Sequence, residues 1–460
     1  MASKTSYFNL SERKFFLRII DIFILVFSLY LTYSFINFNY INFKSEGILN
    51  WFLLLIFYYL IFGEIFQLYN LNISNNRYTV VRSVTLTAFF TTIFYVFTPF
   101  ISPELPSNRL QIAYFFLILS LPVIIWRFLY MWLIFSPKYF KNIIFIGNSD
   151  RIQKLILKVK NDNIHNLYCY LSDKKIKGVT NFYNISTNKI SDLIKDNNVT
   201  EVIVSLKDLS SIEVKKLNRE LILLFEQGIN IVSYETFYEE VTARVPKEYL
   251  QNNFYKYLNF SKNNNSRLYL FGLRLVDIIL SIFGLVILLV LIPILFLGNL
   301  IGNRGALFYK QERVGQNGKN FNIFKLRSMV KNAESNGAVW AVKNDKRITS
   351  FGKFLRNTRL DEIPQFYNIL KGEMSIIGPR PERPEFVHDL ESKIPFYAIR
   401  NVVRPGLTGW AQVNYPYANT IEEQEIKLRY DLYYIKERSA FLDFKILIKT
   451  ITTVLFYRGQ

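Results

Sequence analysis

Histidine and cysteine are almost absent from this chain: two and one in 460 residues. Cys169 alone permits neither an intrachain disulfide nor a cysteine-based zinc site. His165 and His388 are too few for a histidine-clustered metal centre or a Ser-His-Asp hydrolase, so acid–base work falls mainly to carboxylates. Zinc-finger spacings and RNP motifs are missing, and with them the sequence signs of nucleic-acid binding. The first apolar run has no cleavage site of small residues after it and reads as a retained anchor. What the chain has in excess is apolar and basic: half is hydrophobic, 17% is aromatic, and the formal charge is +20. That balance points to an anionic membrane surface or to phosphorylated ligands.

Long apolar runs cover about 19–36, 51–68, 83–101 and 110–135, each near the ~20 residues that cross hydrocarbon. Lys4, Arg13, Lys14 and Arg18 precede the first run, Arg77 and Arg82 separate the second from the third, and Lys138 and Lys141 follow the fourth. The other connections carry only Lys44 and Arg109. This bias predicts a four-helix transmembrane domain, 1–136, with both ends in the cytoplasm. Asp21, Glu64 and Arg127 fall inside or at the edges of the runs. Pairing between helices or reach to the interface accounts for them better than a transport path.

From 137 to 262 short β-type runs alternate with helical ones: 142–147, 167–171, 201–206 and 229–234 against 151–160, 188–196 and 211–227. Alternation of this kind predicts a Rossmann-like α/β domain with a parallel sheet. Gly147 ends the first strand, but the further glycines of a dinucleotide fingerprint are missing, so a regulatory or assembly role stands beside nucleotide binding. The polar stretch 252–266 reads as a linker.

Residues 275–297 are almost wholly apolar, yet basic residues flank them on both sides: Arg267 and Arg274 before, Arg304, Lys310 and Arg313 after. With both flanks in the cytoplasm the segment must enter and return, and Pro293 supplies a break. The alternative is an ordinary fifth spanning helix with the C-terminal domain outside. Arg274 and Asp277, three apart, are placed to pair with each other.

The region 263–460 carries the chemistry. Residues 302–318 read as a basic loop and 321–329 as a strand bearing Lys325 and Arg327. The stretch 347–360 reads as an amphipathic basic helix suited to an anionic bilayer. Asp361 and Glu362 follow Arg356 and Arg359, and a tight Gly-Pro-Arg-Pro turn, 378–381, comes after them. Two adjacent acids among cations suit a phosphate ester: carboxylates attack or hold a metal, and guanidinium groups offset phosphate charge. Pro364 fits the first turn of a helix, which would put Asp361 near a helix N-terminus where the ionised form is favoured. The plain alternative for Asp361 is a helix cap. Trp410 and His388 are read as packing and surface residues. Residues 422–437 and 441–456 read as helices, the last interfacial or core.

Four motifs, in order, resemble the bacterial sugar transferases, the polyprenyl-phosphate phosphoglycosyl transferases of the monotopic type. They are RLVDIILSIFG (274–284), YKQERVGQNGKNFNIFKLRSM (309–329), NDKRITSFGKFLRNTRLDEIPQFYNILKGEMSIIGPRPERPEF (344–386) and RPGLTGWAQVNY (404–415). The N-terminal helices and the α/β domain look like those of the long subgroup. The resemblance implies transfer of a sugar-1-phosphate from a UDP-sugar to undecaprenyl phosphate, with release of UMP, as a first membrane step of exopolysaccharide, capsule or O-antigen synthesis. It implies Asp361 as a nucleophile that forms an aspartyl-phosphosugar intermediate, with Mg2+ as cofactor and Glu362 as metal ligand or proton manager. Asp361 and Glu362 are the candidate metal residues. Arg380 is the foremost phosphate clamp, followed by Lys325, Arg327, Arg356, Arg359, Arg404 and Gln412. The family also implies a homodimer, multi-pass in the bacterial inner (cytoplasmic) membrane, with the catalytic domain facing the cytoplasm. Ile292 stands where many members have Ser before the helix-breaking Pro. A competing reading makes the chain a non-catalytic membrane scaffold or sensor in polysaccharide assembly.

Overall fold

The computed structural model describes residues 10–455 apart from 37, 39, 70–76, 107, 135–140, 161–164, 186, 188, 189, 191, 192, 194–198, 208, 210, 251–263, 265, 332, 334–344, 416 and 417. Most of the expected helix 188–196 and of the expected linker 252–266 lies outside the described residues. The chain divides into two units, Met1–Phe237 and Tyr238–Gln460.

The first unit opens with α1 (Leu10–Ile36), α2 (Ile48–Ile65), α3 (Arg77–Val96) and α4 (Leu110–Ile134). All four are long and apolar enough to cross a membrane. Their inward faces share one buried cluster that includes Leu17, Leu25, Leu29, Tyr59, Val84, Phe115 and Leu119. Leu17, Asp21, Leu25 and Leu29 recur every four residues, so they form one stripe of α1. The carboxylate in that stripe is matched by Arg127 of α4, and both are 2% exposed or less. Arg18 likewise meets Glu64. The charges in the apolar runs therefore pair between helices.

The same unit continues as β1 (Lys141–Ile146), α5 (Ser149–Lys160), β2 (His165–Ser172), β3 (Phe182–Asn184), β4 (Val199–Val204), α6 (Ser211–Glu226) and β5 (Asn230–Ser233). The sheet order is β3-β2-β1-β4-β5 with every pairing parallel. Ile143 to Ile146 are wholly buried, as a central parallel strand covered on both faces must be. The strand β3 was not foreseen; three residues give no period to read.

The helix α7 (Tyr234–Thr242) carries the chain into the second unit. Val245, Tyr249 and Leu250 are buried in that unit's core with Ile369, Trp410 and Leu432. Residues 238–250 thus fold with the C-terminal region, earlier than the sequence boundary at 262.

The second unit comprises α8 (Arg267–Gly302), β6 (Phe308–Val314), β7 (Asn320–Leu326), α9 (Ser350–Asn357), α10 (Gln365–Lys371), β8 (Ser375–Ile377), α11 (Pro384–Lys393), β9 (Gly406–Thr408), α12 (Trp410–Asn414), α13 (Ile421–Glu437) and α14 (Ala440–Leu455). The fifth helix apolar enough for a membrane is α8, and it runs as one helix through Pro293. Leu289, Val290, Ile294 and Leu297 on it are each more than half exposed. Five such helices among the described residues, with exposed apolar faces, mark a membrane protein.

Glycines on α8 receive aromatic rings from the C-terminal region. A Cβ on Gly284 would lie 2.4 Å from the Phe366 ring, and one on Gly298 2.4 Å from the Phe351 ring. Arg274 and Asp277 do not pair as expected. The guanidinium donates to the carbonyls of Ile369 and Leu370, both at 2.6 Å. Asp277 accepts from Ser375 Oγ at 3.0 Å and from the Ile376 N–H at 2.8 Å. Sharing a helix face let both reach the same neighbour rather than each other.

Candidate active site

The expected basic loop at 302–318 holds a strand, β6, at its centre. β6 pairs antiparallel with β7, Tyr309 opposite Lys325 and Arg313 opposite Phe321. Its half-buried side carries Tyr309, Gln311 and Arg313, so a period of two is present but polar. From β7 the Lys325 ammonium reaches 3.8 Å from Glu362 Oε1.

A Thr349 cap, accepting from the Gly352 N–H, starts α9. Gly352 is required there, since a Cβ would fall 1.9 Å from the Ser328 carbonyl oxygen. After α9, Arg359 adopts a left-handed φ of 58°, a conformation that costs a side-chain-bearing residue about 1 kcal/mol. The chain then makes a single 3-10 turn, Leu360–Glu362. Pro364 caps α10, so Asp361 stands in a separate turn ahead of the helix rather than in its first turn.

Asp361 and Glu362 are 8% and 9% exposed. Their electrostatics differ. Burial and then the neighbouring Glu362 charge push the Asp361 carboxyl up to about 6, against the pull of Lys325, Arg356 and Arg359. The expectation that its ionised form is specially favoured is therefore reversed. Burial works on Glu362 too, but Arg380, Lys325 and Arg359 outweigh it and hold that carboxyl down, to about 2. Arg380 Nη2 donates to Glu362 Oε1 at 2.8 Å, and Arg359 Nη1 stands 3.8 Å from Oε2. Asp361 Oδ1 is buried and has no hydrogen-bond partner among the described residues. Burial and then Arg380 lower Lys325 to about 8.

Six of the expected site residues thus converge: Asp361, Glu362, Lys325, Arg356, Arg359 and Arg380. Four cations act on two carboxylates, an excess of two positive charges, which suits a diphosphate. Of the other three, Arg327 and Gln412 are engaged elsewhere. Arg327 donates to the Ala306 carbonyl at 2.8 Å and lies over the Tyr309 ring. Gln412 Nε2 donates to the Leu407 carbonyl at 3.1 Å, and the Arg404 charge acts on Asp277. Trp410 is 2% exposed, its N–H donating to the Ala243 carbonyl at 2.8 Å, and His388 is exposed; both match their sequence reading.

Sequence reasoning missed a second buried set around the Pro-Arg-Pro turn. Glu382 takes Lys427 at 2.6 Å and lies 3.8 Å from Arg313. Arg400 takes Asp431 at 2.9 Å. Gly378, Gly406 and Gly409 bring β8 and β9 together at the turn: a Cβ on Gly406 would lie 2.1 Å from the Gly378 nitrogen.

In the α/β domain, the β1–α5 turn has its amides satisfied internally. The Ser149 N–H donates to Asp173 Oδ1 at 2.8 Å and the Asp150 N–H to Asn148 Oδ1 at 3.0 Å. A carboxylate of the chain itself thus meets the first turn of α5.

A buried acidic pair inside a ring of cations, on a unit bearing a helix apolar enough for a membrane, is the signature of a membrane-associated phosphate-handling domain. Comparison is specific: the chain belongs to the bacterial sugar transferase family, whose sequence model matches residues 268–457. A second family model, described as a CoA-binding domain, matches residues 64–225. The chain is similar to a UDP-N-acetylgalactosamine-undecaprenyl-phosphate N-acetylgalactosaminephosphotransferase of Aeromonas hydrophila, 49% identical over 151 residues, which are 33% of this chain and 36% of that protein. It is similar to a putative undecaprenyl-phosphate N-acetylgalactosaminyl 1-phosphate transferase of Bacillus subtilis (strain 168), 45% identical over 142 residues, 31% of this chain and 79% of the relative. A galactosyl transferase CpsE of Streptococcus agalactiae is 30% identical over 282 residues, 59% of this chain and 55% of that protein. The match thus spans little more than a third of the Aeromonas protein.

Proposed function

We propose that the chain transfers a sugar-1-phosphate from a UDP-sugar to undecaprenyl phosphate, releasing UMP, with Asp361 as the nucleophile. The observation that carries this is the buried, unpartnered Oδ1 of Asp361 beside four cations. An Asp361 oxygen attacks the phosphorus that bears the sugar. The bond from that phosphorus to the bridging oxygen breaks, and UMP leaves with the electron pair. An oxygen of the lipid phosphate then attacks the same phosphorus. The acyl-phosphate bond breaks, the Asp361 carboxylate is restored, and a lipid-linked sugar diphosphate is formed. Arg380, Lys325, Arg356 and Arg359 offset phosphate charge in both steps. Glu362, held ionised by three cations, keeps those cations in place and raises the proton affinity of Asp361.

Among the described residues no group of three or more His, Cys, Asp or Glu side chains is placed to cage a metal ion. Magnesium is commonly held by one or two carboxylates together with substrate phosphates, and the free Oδ1 of Asp361 fits that demand. Asp361, with Glu362 beside it, would hold Mg2+, which would neutralise charge on the diphosphate.

The same-side reading of α8 is supported by its attachments. Near its start, Arg274 and Asp277 bond to 369–376. At its end, Asn299 donates to the Gly305 carbonyl and Asn303 to that of Arg327. One folded unit holds both ends of a helix that, straight, would measure about 54 Å. We therefore read 275–297 as entering and returning on the cytoplasmic face of the inner membrane, bent at Pro293, with α1–α4 as a four-helix transmembrane domain. The product would begin an exopolysaccharide, capsule or O-antigen unit.

The test uses the full chain in nanodiscs with undecaprenyl phosphate and a panel of UDP-sugars labelled in the sugar. Label is expected first on the protein and then on lipid, with UMP released. Asp361→Asn is expected to abolish both; turnover by that variant would remove Asp361 as nucleophile.

A further inference from the structure

Pro379 and Pro381 flank Arg380 and have no N–H, so this turn is fixed through its carbonyls. All four from 379 to 382 are occupied, each by a different donor. Pro379 accepts from the Gly406 N–H at 2.9 Å, and Glu382 from the Val314 N–H at 2.9 Å. Arg380 accepts from Arg400 Nη2 at 2.9 Å, and Pro381 from Arg313 Nη1 at 3.1 Å. Two donors are backbone amides of neighbouring strands. The other two are guanidinium groups.

We propose that Arg400 and Arg313 are positioning residues that hold the Pro-Arg-Pro backbone so that Arg380 faces the donor diphosphate. This rests on the reaction proposed above. Each guanidinium is itself oriented. Arg400 bonds Asp431 through Nε at 3.1 Å and Tyr397 Oη through Nη1 at 2.9 Å. Arg313 bonds Gln311 Oε1 at 2.5 Å and faces Glu382 at 3.8 Å. A charged donor makes a stronger bond to a carbonyl than a neutral one. The planar fork lets one side chain bond the turn and an acid together; a lysine has no such fork. With the Arg380 carbonyl held by one element, its guanidinium meets Glu362 at 2.8 Å on the other side. The turn therefore resists the pull of a bound phosphate, and Arg380 is preorganised for it.

The test compares the parent with Arg313→Lys and with the charge-balanced double variant Arg400→Gln/Asp431→Asn, all full length in nanodiscs. Steady-state UMP release gives kcat and the KM for the UDP-sugar. Competition gives the inhibition constant of UDP, and thermal unfolding reports the fold. Losing one such bond is expected to raise KM and the UDP constant together by about tenfold. The melting temperature and kcat are expected to change little. If folded variants keep the parental KM and UDP constant, or if kcat alone falls, the proposal is overturned. Should the double variant fail to fold, Arg313→Lys decides alone. If the parent releases no UMP from any UDP-sugar, the reaction fails rather than the clamp, which is then read from UDP affinity by thermal shift, with the same loss expected.

Discussion

Arg380 and Glu362 join at 2.8 Å across the gap between the Pro-Arg-Pro turn and the 3-10 turn of the acidic pair. The contact ties the second acid down and leaves the first, Asp361, with a buried oxygen to offer. Adjacent carboxylates thereby acquire opposite surroundings, and the proposed reaction uses one as counter-ion and the other as nucleophile. Their proton affinities move apart as such a division requires.

The rate of UMP release should follow the ionisation of Asp361. Its carboxyl sits at about 6, so the attacking form is lost as pH falls through that value. Turnover at pH 5 is expected at about a tenth of its value at pH 7.5. A flat profile between these pH values would contradict the assignment.

Stability at Asp361 should run the other way. A carboxyl raised in the folded state stabilises the fold below the unfolded value, and that contribution disappears as pH rises through about 6. Asp361→Asn is therefore expected to melt no lower than the parent at pH 7.5 while losing the proposed activity. A large drop in melting temperature would assign Asp361 a structural role instead.

Glu362→Gln should shift the acid limb of the pH–rate profile to lower pH. Removing a like charge beside Asp361 and freeing three cations both favour the ionised nucleophile. The variant is also expected to lose stability, by roughly 1–3 kcal/mol, because half-buried cations lose a charged hydrogen-bonding partner. Rate measurements from pH 4.5 to 8 with denaturant titration at pH 7.5 check both.

Gly406→Ala should be unable to form the β8–β9 contact. Its Cβ would fall 2.1 Å from the Gly378 nitrogen, an atom of another backbone that cannot rotate away. Loss of folded protein, or destabilisation above about 2 kcal/mol, is expected by thermal unfolding.

Asp21→Leu alone should be far more harmful than Asp21→Leu with Arg127→Leu. The single change strands a buried guanidinium, costing about 3–5 kcal/mol, whereas removing both charges is often neutral. Unfolding in detergent of the three proteins gives the comparison.

The parts legible in the sequence are those where local pattern and final role coincide. The strands β1, β2 and β4 are apolar runs because both faces are covered, and the acidic pair carries its cations nearby in the chain. Pattern failed where buried positions are polar. Gln311 and Arg313 on the inner side of β6 hid its period. The Glu382, Lys427, Arg400 and Asp431 contacts join residues whose spacing carries no signal. Arg274 and Asp277 misled for a related reason: helical spacing says which residues share a face, not what that face meets.

The notches at Gly284 and Gly298 have an evolutionary corollary. Phe366 and Phe351 lodge where any larger residue on the apolar helix would collide with them. A borrowed hydrophobic anchor would arrive without these sockets and would lift the carboxylate turn from its seat. Anchor and enzyme are therefore one heritable module, exchangeable between proteins only when transplanted whole.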